Sequence, residues 1–332
     1  MTHRSLVAVS GIFLGGMVGM TAASAGQDLT TVNLAIAGMS MSLFQTTPLQ
    51  VAMDKGFFER EGISVQLIKV GGGTEAVDAA IAGKADIALS AVTDMVTAER
   101  KGGKAVGIAG ATANPVYSLV ARPDITDLKQ LKDKPIAVSF PTDIITITTQ
   151  EILKRHGVVD SAYVPRVLIG SAPRLQCMQE GDCAAAVLSQ PFDVEMTNKG
   201  YHRLAGSNEV LTGLQYTVYA VQPAWAEQHK QVLTSFVKAI GNAYRYVNDP
   251  KNKDDVISIA SQLTGTEKDV TSQVYDLLLV KNHDVLPKQG EINVAGVTKV
   301  VSLMERTGHF KVPELDGEQL VDLEYLKAAG LR

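Results

Sequence analysis

The stretch TPLQVAMDKGFFEREGISVQLIKVGGGTEAVDAAIAGKADIALSA, from Thr47 to Ala91, decides the fold, because helix-like and strand-like segments alternate in it with few residues between them. Its first half predicts a helix capped by Thr47, with Pro48 in the first turn, where a missing N–H costs nothing. Gly56 is expected to end this helix in the left-handed conformation. Apolar residues then alternate from Ile63 to Leu67, which predicts a strand.

The second half of the stretch repeats this order of elements. Gly71–Gly73 predicts a bend, Thr74 a cap for the next helix, and Gly83 the end of that helix. Asp86–Ser90 predicts a short buried strand. Strands that lead directly into helix N-termini are typical of a parallel α/β sheet, which binds ligands at the carboxyl ends of its strands.

Several short motifs within this stretch go beyond a general α/β pattern. They are Pro48, Ala52, Gly56-Phe57-Phe58, Glu61-Gly62-Ile63, Val65, Gly72 and Ala82-Gly83-Lys84-Ala85-Asp86-Ile87. In these motifs the chain resembles the solute-binding proteins of ABC importers, in the group that handles sulfonates, taurine, nitrate and thiamine-pyrimidine precursors. The resemblance implies an α/β periplasmic binding protein of type II, with two lobes around a cleft, two hinge crossovers and no catalysis.

The composition is that of a soluble protein with a sizeable core. The chain has 332 residues, of which 45% are hydrophobic and 20% charged, and its net charge is −4. This size allows one or two domains. A weakly acidic chain lacks the basic footprint of a nucleic-acid-binding protein, so we expect no nucleic-acid partner.

Residues 1–25 are expected to form a cleavable secretory signal. Arg4 supplies the positive charge, an apolar segment runs from Leu6 to Met20, and Ala23-Ser24-Ala25 fits the small-x-small cleavage rule. The alternative is a membrane anchor, against which the short apolar segment argues. We therefore expect a mature protein that begins at Gly26 and resides in the periplasm.

A second unit of the same kind lies farther along the chain. Residues 81–89 and 179–187 both carry the end of a helix, a glycine and an alanine-rich strand. The two units predict two similar α/β lobes. The same pattern can also arise without a duplication, because any βα unit tends to show this order of helix end, glycine and apolar strand. Lobe one is expected to comprise residues 28–117 and 220–332, and lobe two residues 118–219.

The remaining pattern supports this division. Crossovers are expected near Tyr117–Arg122 and Leu214–Val221, and the chain becomes mostly helical after Pro223. The resemblance implies that this helical tail packs on lobe one. Further strands are predicted at Thr31–Ala37, Ala105–Ala111, Tyr117–Ala121, Pro135–Val138, Pro165–Ile169, Ala184–Leu188 and Tyr216–Val221, and a helix at Asp143–His156.

Neither a metal site nor a catalytic motif is evident. The six histidines lack zinc-ligand spacing, and no GxSxG, P-loop or GxGxxG motif occurs, so we expect no metal and no cofactor. Cys177 and Cys183 are the only cysteines. An oxidising compartment permits a disulfide between them, but the spacing alone leaves the pairing open.

The candidate ligand-binding residues lie just after predicted strands or in the loops that follow them. Each hydroxyl among them can be a helix cap, a ligand contact or both, because both roles use a helix N-terminus. They are Met39, Ser40, Met41, Ser42, Phe44, Gly72, Gly73, Thr74, Ser90, Thr93, Ser139, Phe140, Thr142, Asp143, Ser171, Arg174, Gln190 and Phe192.

The charges in these loops predict the chemical character of the ligand. The loops concerned are Gly38–Phe44, Gly71–Thr74, Ser90–Asp94, Ser139–Asp143, Gly170–Arg174 and Ser189–Phe192. Arg174 is the only lysine or arginine in these loops, which is too little fixed charge for a phosphate or a dianion. One arginine with hydroxyls and helix N-termini suffices for a single negative charge. The aromatic and methionine side chains can pack against an apolar part. We therefore predict a small carboxylate or sulfonate monoanion, while Asp94 and Asp143 leave room for a neutral or amine-bearing ligand.

Three classes of function fit these features. The first is a monomeric solute-binding protein whose partners are a small-molecule ligand and an ABC permease of the inner membrane. The second is a protein of the same fold that binds thiamine-pyrimidine precursors or takes part in their synthesis, although Cys177 and Cys183 do not form the cysteine-rich motif of that enzyme branch. The third is a sensory module that presents ligand to a membrane receptor.

Overall fold

Two five-stranded mixed sheets organise the molecule. The computed structural model describes residues 28–37, 43–158, 163–282, 284–308 and 315–331. In the first sheet the strand order is β2-β1-β3-β10-β4, and in the second it is β7-β6-β8-β5-β9. The strands are β1 (Thr30–Ala37), β2 (Ile63–Val70), β3 (Ile87–Ala91), β4 (Val106–Thr112), β5 (Ser118–Ala121), β6 (Pro135–Val138), β7 (Val164–Val167), β8 (Ala185–Leu188), β9 (His202–Gly206) and β10 (Thr217–Val221).

The two sheets have the same topology. In the first, β1 pairs in parallel with β2 and β3, and β10 pairs antiparallel with β3 and β4. In the second, β6 pairs in parallel with β7 and β8, and β5 pairs antiparallel with β8 and β9. The two units recognised in the sequence end in β3 and β8, which are the central strands of their sheets. The predicted pair of α/β lobes is therefore present.

Helices flank both sheets. In chain order they are α1 (Leu43–Asp54), α2 (Phe57–Arg60), α3 (Gly73–Ile81), α4 (Val92–Arg100), α5 (Ile144–Arg155), α6 (Ser171–Gln179), α7 (Phe192–Asn198), α8 (Pro223–Gln228), α9 (Lys230–Asn248), α10 (Lys253–Thr264), α11 (Lys268–Tyr275), α12 (Val294–Arg306) and α13 (Glu324–Ala328). The sequence did not predict α7 or β9, which are short and are separated from each other by only three residues. A π-helical turn, Asp276–Lys281, continues α11.

The helical tail packs on lobe one. Phe236 of α9 stacks on Phe58 of α2 with ring centroids 5.5 Å apart, and it meets the ring of Tyr219 in β10 edge-on at 5.2 Å. The Tyr244 hydroxyl of α9 donates a 2.8 Å hydrogen bond to the Ala111 carbonyl of β4. These contacts join the end of the chain to the sheet formed by its beginning.

The chain crosses between the sheets twice. Residues 113–117 lead from β4 to β5, and residues 207–216 lead back to β10. The predicted crossovers included β5 and β10, which the structure places inside the sheets. The two crossing segments are hydrogen-bonded to each other, because the Asn114 side chain accepts from the Leu214 amide at 2.9 Å and the Ser207 hydroxyl donates to the Pro115 carbonyl at 2.7 Å.

The first helix begins earlier than predicted. Thr47 is not a cap, because α1 already includes Leu43, and Pro48 lies inside the helix. The Thr47 hydroxyl donates to the Leu43 carbonyl at 2.7 Å, one turn back. Burial of Leu43 and Phe44 in the core favours this extension over the usual preference of proline for a first turn.

The prediction for Gly56 is confirmed, and the prediction for Thr74 is wrong. Gly56 has a φ of 64°, so it ends α1 in the left-handed conformation as predicted. Thr74 is the second residue of α3 rather than its cap. Cys177 at the end of α6 and Cys183 before β8 form a disulfide, with their Cα atoms 5.3 Å apart, which resolves the pairing that the spacing left open.

Candidate functional site

A cleft of about 340 Å³ lies between the two sheets. Its walls are built from the carboxyl ends of parallel strands in both lobes, namely β1, β2 and β3 on one side and β6, β7 and β8 on the other. Four helices, α3, α4, α5 and α6, begin at these walls and direct their N-terminal N–H groups and positive dipole ends toward the cleft. This is the position at which open α/β sheets bind ligands.

Most of the described candidate residues line this cleft. Those that do are Gly72, Gly73, Thr74, Ser90, Thr93, Ser139, Phe140, Asp143, Ser171 and Arg174. Met39, Ser40, Met41 and Ser42 lie outside the described residues.

Four candidates lie away from the cleft. Phe44 is buried in the core of lobe one, where its ring meets that of Tyr275 edge-on at 6.0 Å. Gln190 is buried and donates to the Asp193 carboxylate at 3.0 Å. Phe192 begins α7 and lines a separate groove beside α1. Thr142 does not reach the cleft wall.

Arg174 provides a buried positive charge in the cleft wall. Its side chain is only 3% exposed, and it donates to the Val187 carbonyl at 2.9 Å, the Leu168 carbonyl at 3.1 Å and the Ser171 hydroxyl at 3.3 Å. A guanidinium has five N–H hydrogens, so two remain without an acceptor among the described residues. Burial lowers the pKa of Arg174, whereas the nearby Asp143 carboxylate raises it.

No described carboxylate lies within ion-pair distance of Arg174. A buried charge is costly unless a partner compensates it. An anion in the cleft would supply that partner, because it could accept the two remaining N–H groups.

Asp94 on the opposite wall is held by a ring of donors. Its carboxylate accepts from the Thr74 hydroxyl at 2.8 Å, the Ser90 hydroxyl at 3.0 Å and the Ala91 amide at 3.3 Å. Gly73 permits this approach, because a Cβ there would lie 2.0 Å from the Asp94 Oδ2 atom. Burial raises the pKa of Asp94 to about 6, and Asp143 adds to the effect, while the hydrogen bonds lower it.

A proton on Asp94 also completes the local hydrogen bonding. The single Ser90 hydroxyl hydrogen faces two acceptors, the Gly73 carbonyl at 3.0 Å and the Asp94 Oδ2 atom at 3.0 Å. If Asp94 is protonated, its own hydrogen can bond to the Ser90 oxygen while Ser90 donates to Gly73. The geometry therefore agrees with the raised pKa.

We predict that Asp94→Asn changes the pH dependence of stability. The folded-state pKa exceeds the ordinary value of 3.8, so the folded protein holds this proton more tightly and loses stability as pH rises from about 4 to about 7. Asparagine carries no charge, so the variant does not lose this stability. Between pH 4 and pH 7 its free energy of unfolding should therefore rise relative to that of the parent by at most about 3 kcal/mol. Urea unfolding at pH 4, 5.5 and 7 measures this difference, and a difference that stays constant with pH would contradict the assignment.

Asp143 caps α5 at the cleft wall. Its carboxylate accepts from the Ile145 amide at 2.8 Å and from the Ser139 hydroxyl at 2.7 Å. Asp94 and Asp143 thus each accept a hydrogen bond from a backbone amide at a helix N-terminus, which stabilises negative charge.

Sequence reasoning did not include two tyrosines of the cleft floor. Tyr117 and Tyr216 both line the cleft, and their hydroxyl oxygens are 2.7 Å apart. Both residues fell in or beside the predicted crossovers, which was the one signal that pointed to them. Other lining residues that were not chosen are Ala37, Gln45, Gly71, Glu75, Leu89, Ala91, Asp94, Ile144, Ile145, Ile169, Gly170, Ser189 and Thr217.

Within the described ranges, no group of three or more histidine, cysteine, aspartate or glutamate side chains is arranged to hold a metal ion. In the same part of the chain, no helix combines the length and the apolar character needed to cross a membrane.

A family model described as "NMT1/THI5 like" matches residues 43–253. The putative binding protein YtlA of Bacillus subtilis (strain 168) is 26% identical over 250 residues, which cover 74% of this chain and 75% of YtlA.

Solved structures share the fold at lower identity. A ligand-binding component of an ABC-type import system from Staphylococcus aureus, with zinc bound, is 14% identical with a TM-score of 0.75, covering 90% of this chain and 99% of its own. The alkanesulfonate-binding protein SsuA from Xanthomonas axonopodis pv. citri, bound to MOPS, is 13% identical with a TM-score of 0.70, covering 88% of this chain and 98% of its own.

Proposed function

We propose a ligand and a partner for this chain, which belongs to the NMT1/THI5-like family. It captures a small organic monoanion, a carboxylate or sulfonate with an aromatic or aliphatic part, and delivers it to an ABC permease. The observation that carries the ligand class is Arg174, a buried guanidinium with two free N–H groups and no carboxylate partner among the described residues.

The family match confirms the resemblance noted in the Thr47–Ala91 stretch, and the solved structures confirm the periplasmic-binding-protein fold. The relatives described above are binding proteins or import components rather than enzymes, which confirms the prediction that this chain is not an enzyme.

The size and lining of the cleft support a small ligand with an apolar part. A volume of about 340 Å³ is at the lower end of the range for small-molecule sites. Phe140, Ile144, Ile145 and Ile169 supply apolar surface in lobe two. One negative charge in the cleft is further stabilised by roughly 0.3–1 kcal/mol at each nearby helix N-terminus, and four helices begin there, α3, α4, α5 and α6.

A second candidate ligand carries nitrogen donors, as a thiamine-pyrimidine precursor does. The observation that favours it is the pair Asp94 and Asp143, which line the cleft with no described basic side chain within ion-pair distance of either. We rank it second because both carboxylates already accept hydrogen bonds from protein donors, whereas two N–H groups of Arg174 have no acceptor among the described residues.

The proposal also covers the export of the chain, the closure of its lobes and its docking on the permease. Residues 1–25 direct export and are removed, and the mature monomer acts in the periplasm. Residues 28–117 with 217–332 form one moving unit and residues 118–216 the other, the predicted boundary after residue 219 being moved because β10, Thr217–Val221, lies in the first sheet. The two units close on the ligand by bending at the two crossing segments. The closed form docks on the permease of the inner membrane.

A thermal-shift screen of four acids tests the ligand class. Benzoate, benzenesulfonate, butyrate and butanesulfonate are each compared with the matched neutral amide or sulfonamide. A ligand at a hundred times its Kd adds about 2.7 kcal/mol of stability, so at least one acid should raise Tm and its neutral partner should not. No shift with any acid, or equal shifts with the neutral partners, would overturn the proposed ligand class.

A further inference from the structure

The floor of the cleft carries a pair of tyrosine hydroxyls that join the two crossing segments. Tyr117 ends the first segment and Tyr216 ends the second. Their hydroxyl oxygens are 2.7 Å apart and their rings meet edge-on, with centroids 6.0 Å apart. The pair therefore lies where the lobes must bend if they close.

A hydrogen count shows that this pair has an unused donor. Two hydroxyls carry two hydrogens, and only one can lie between the two oxygens. Neither hydroxyl has another hydrogen-bond partner among the described residues. Both side chains are buried, with 4% of Tyr117 and 9% of Tyr216 exposed. A buried donor without an acceptor is costly, and the cleft is the space that both residues line.

The pair lies near charges of both signs, and Arg174 is the positive one beside which an acidic ligand group can lie. Besides burial, the carboxylates of Asp143 and Asp94 raise the pKa of Tyr117 and the guanidinium of Arg174 lowers it, while both tyrosines raise the pKa of Arg174. Burial raises the pKa of Tyr117 to about 12 and holds that of Tyr216 well above its usual value, so both hydroxyls remain neutral donors. Thr217, the next residue, also lines the cleft, and its buried hydroxyl has no described partner.

We infer that the Tyr117–Tyr216 pair donates its free hydrogen to the acidic group of the ligand, beside Arg174. This inference rests on the proposed function and names a second contact for the same ligand group. An acidic group held by Arg174 of lobe two and by the two crossing segments contacts both a lobe and the segments at which the lobes bend. The pair is thus a positioning element that links ligand capture to the bend between the lobes.

Phenylalanine substitutions test the pair, with titration calorimetry as the readout. The probe is whichever of benzoate, benzenesulfonate, butyrate and butanesulfonate binds the parent most tightly. In Tyr117→Phe or Tyr216→Phe the remaining hydroxyl can turn its own hydrogen to the ligand, so we expect Kd to rise by no more than about threefold. The double variant has no hydroxyl left, and its Kd should rise at least about tenfold.

Tyr244→Phe is the matched control. It removes a buried tyrosine hydroxyl that bonds the Ala111 carbonyl in lobe one, away from the cleft, so it should change stability and leave Kd unchanged. If the double variant binds the probe as tightly as the parent while its Tm falls, the hydroxyls only brace the crossing segments and the inference fails. If no acid binds the parent, the proposed function itself fails.

Discussion

Replacing Arg174 with glutamine is expected to weaken binding of the preferred acid at least about thirtyfold. Removing one partner of a buried, hydrogen-bonded charge pair costs 2 kcal/mol or more, and every 1.4 kcal/mol is a factor of ten in Kd. Glutamine is uncharged and has two N–H groups instead of five, so it cannot both keep the three bonds to the protein and present two charged donors to the cleft. Titration calorimetry with the tightest of the four acids measures the change.

Two companion variants make the result specific. Arg166→Gln removes the same charge from an exposed position in β7, outside the cleft, and should leave Kd within about twofold because surface charges contribute little. Arg174→Lys keeps the charge but loses the fork geometry, so its Kd should fall between those of the parent and Arg174→Gln. Equal affinities for the parent and Arg174→Gln would remove the main support for a monoanionic ligand.

The largest expected loss of stability comes from Phe236→Ala in α9. The Phe236 side chain is fully buried and contacts the rings of Phe58 and Tyr219, so it connects the helical tail to both the beginning and the central sheet of lobe one. Truncation of a buried phenylalanine costs roughly 3–5 kcal/mol through lost burial and the cavity left behind. Urea unfolding of the ligand-free protein at pH 7 measures the free energy of unfolding.

Lys238→Ala provides the comparison within the same helix. Lys238 is exposed and forms a 2.9 Å ion pair with Glu61, an arrangement worth about 1 kcal/mol or less. The two variants should therefore differ by at least about 2 kcal/mol. Similar, small losses in both would mean that the tail does not rest on lobe one as the structure describes.

Periodicity predicted the strands of the sheets well and the start of α1 poorly. Alternation from Ile63 marks β2, a partly buried edge strand, and the apolar run before Ser90 marks β3, a buried central strand. Both patterns follow from how much of a strand is buried, whatever its place in the chain. Pro48 misled because its first-turn preference is a local property, whereas α1 is extended by burial of Leu43 and Phe44, which depends on helices far along the chain.

The candidate site could be predicted as a region but not residue by residue. Arg174 and Ser139 follow strands whose carboxyl ends face the cleft, so their positions after predicted strands were enough to predict that they line it. Phe192 also follows a strand, but α7 turns its side chain toward a groove beside α1. The Tyr117–Tyr216 pair joins residues 99 positions apart, and their contact depends on how the two crossing segments pack, which no local pattern encodes.

Small-angle scattering of the mature chain is the most direct test of capture between two lobes. The radius of gyration is measured with the tightest of the four acids at saturation, with its neutral amide or sulfonamide at the same concentration, and without ligand. We predict a smaller radius with the acid and no change with the neutral compound. An acid that binds in the calorimeter yet leaves the radius unchanged would contradict closure of the lobes around the ligand.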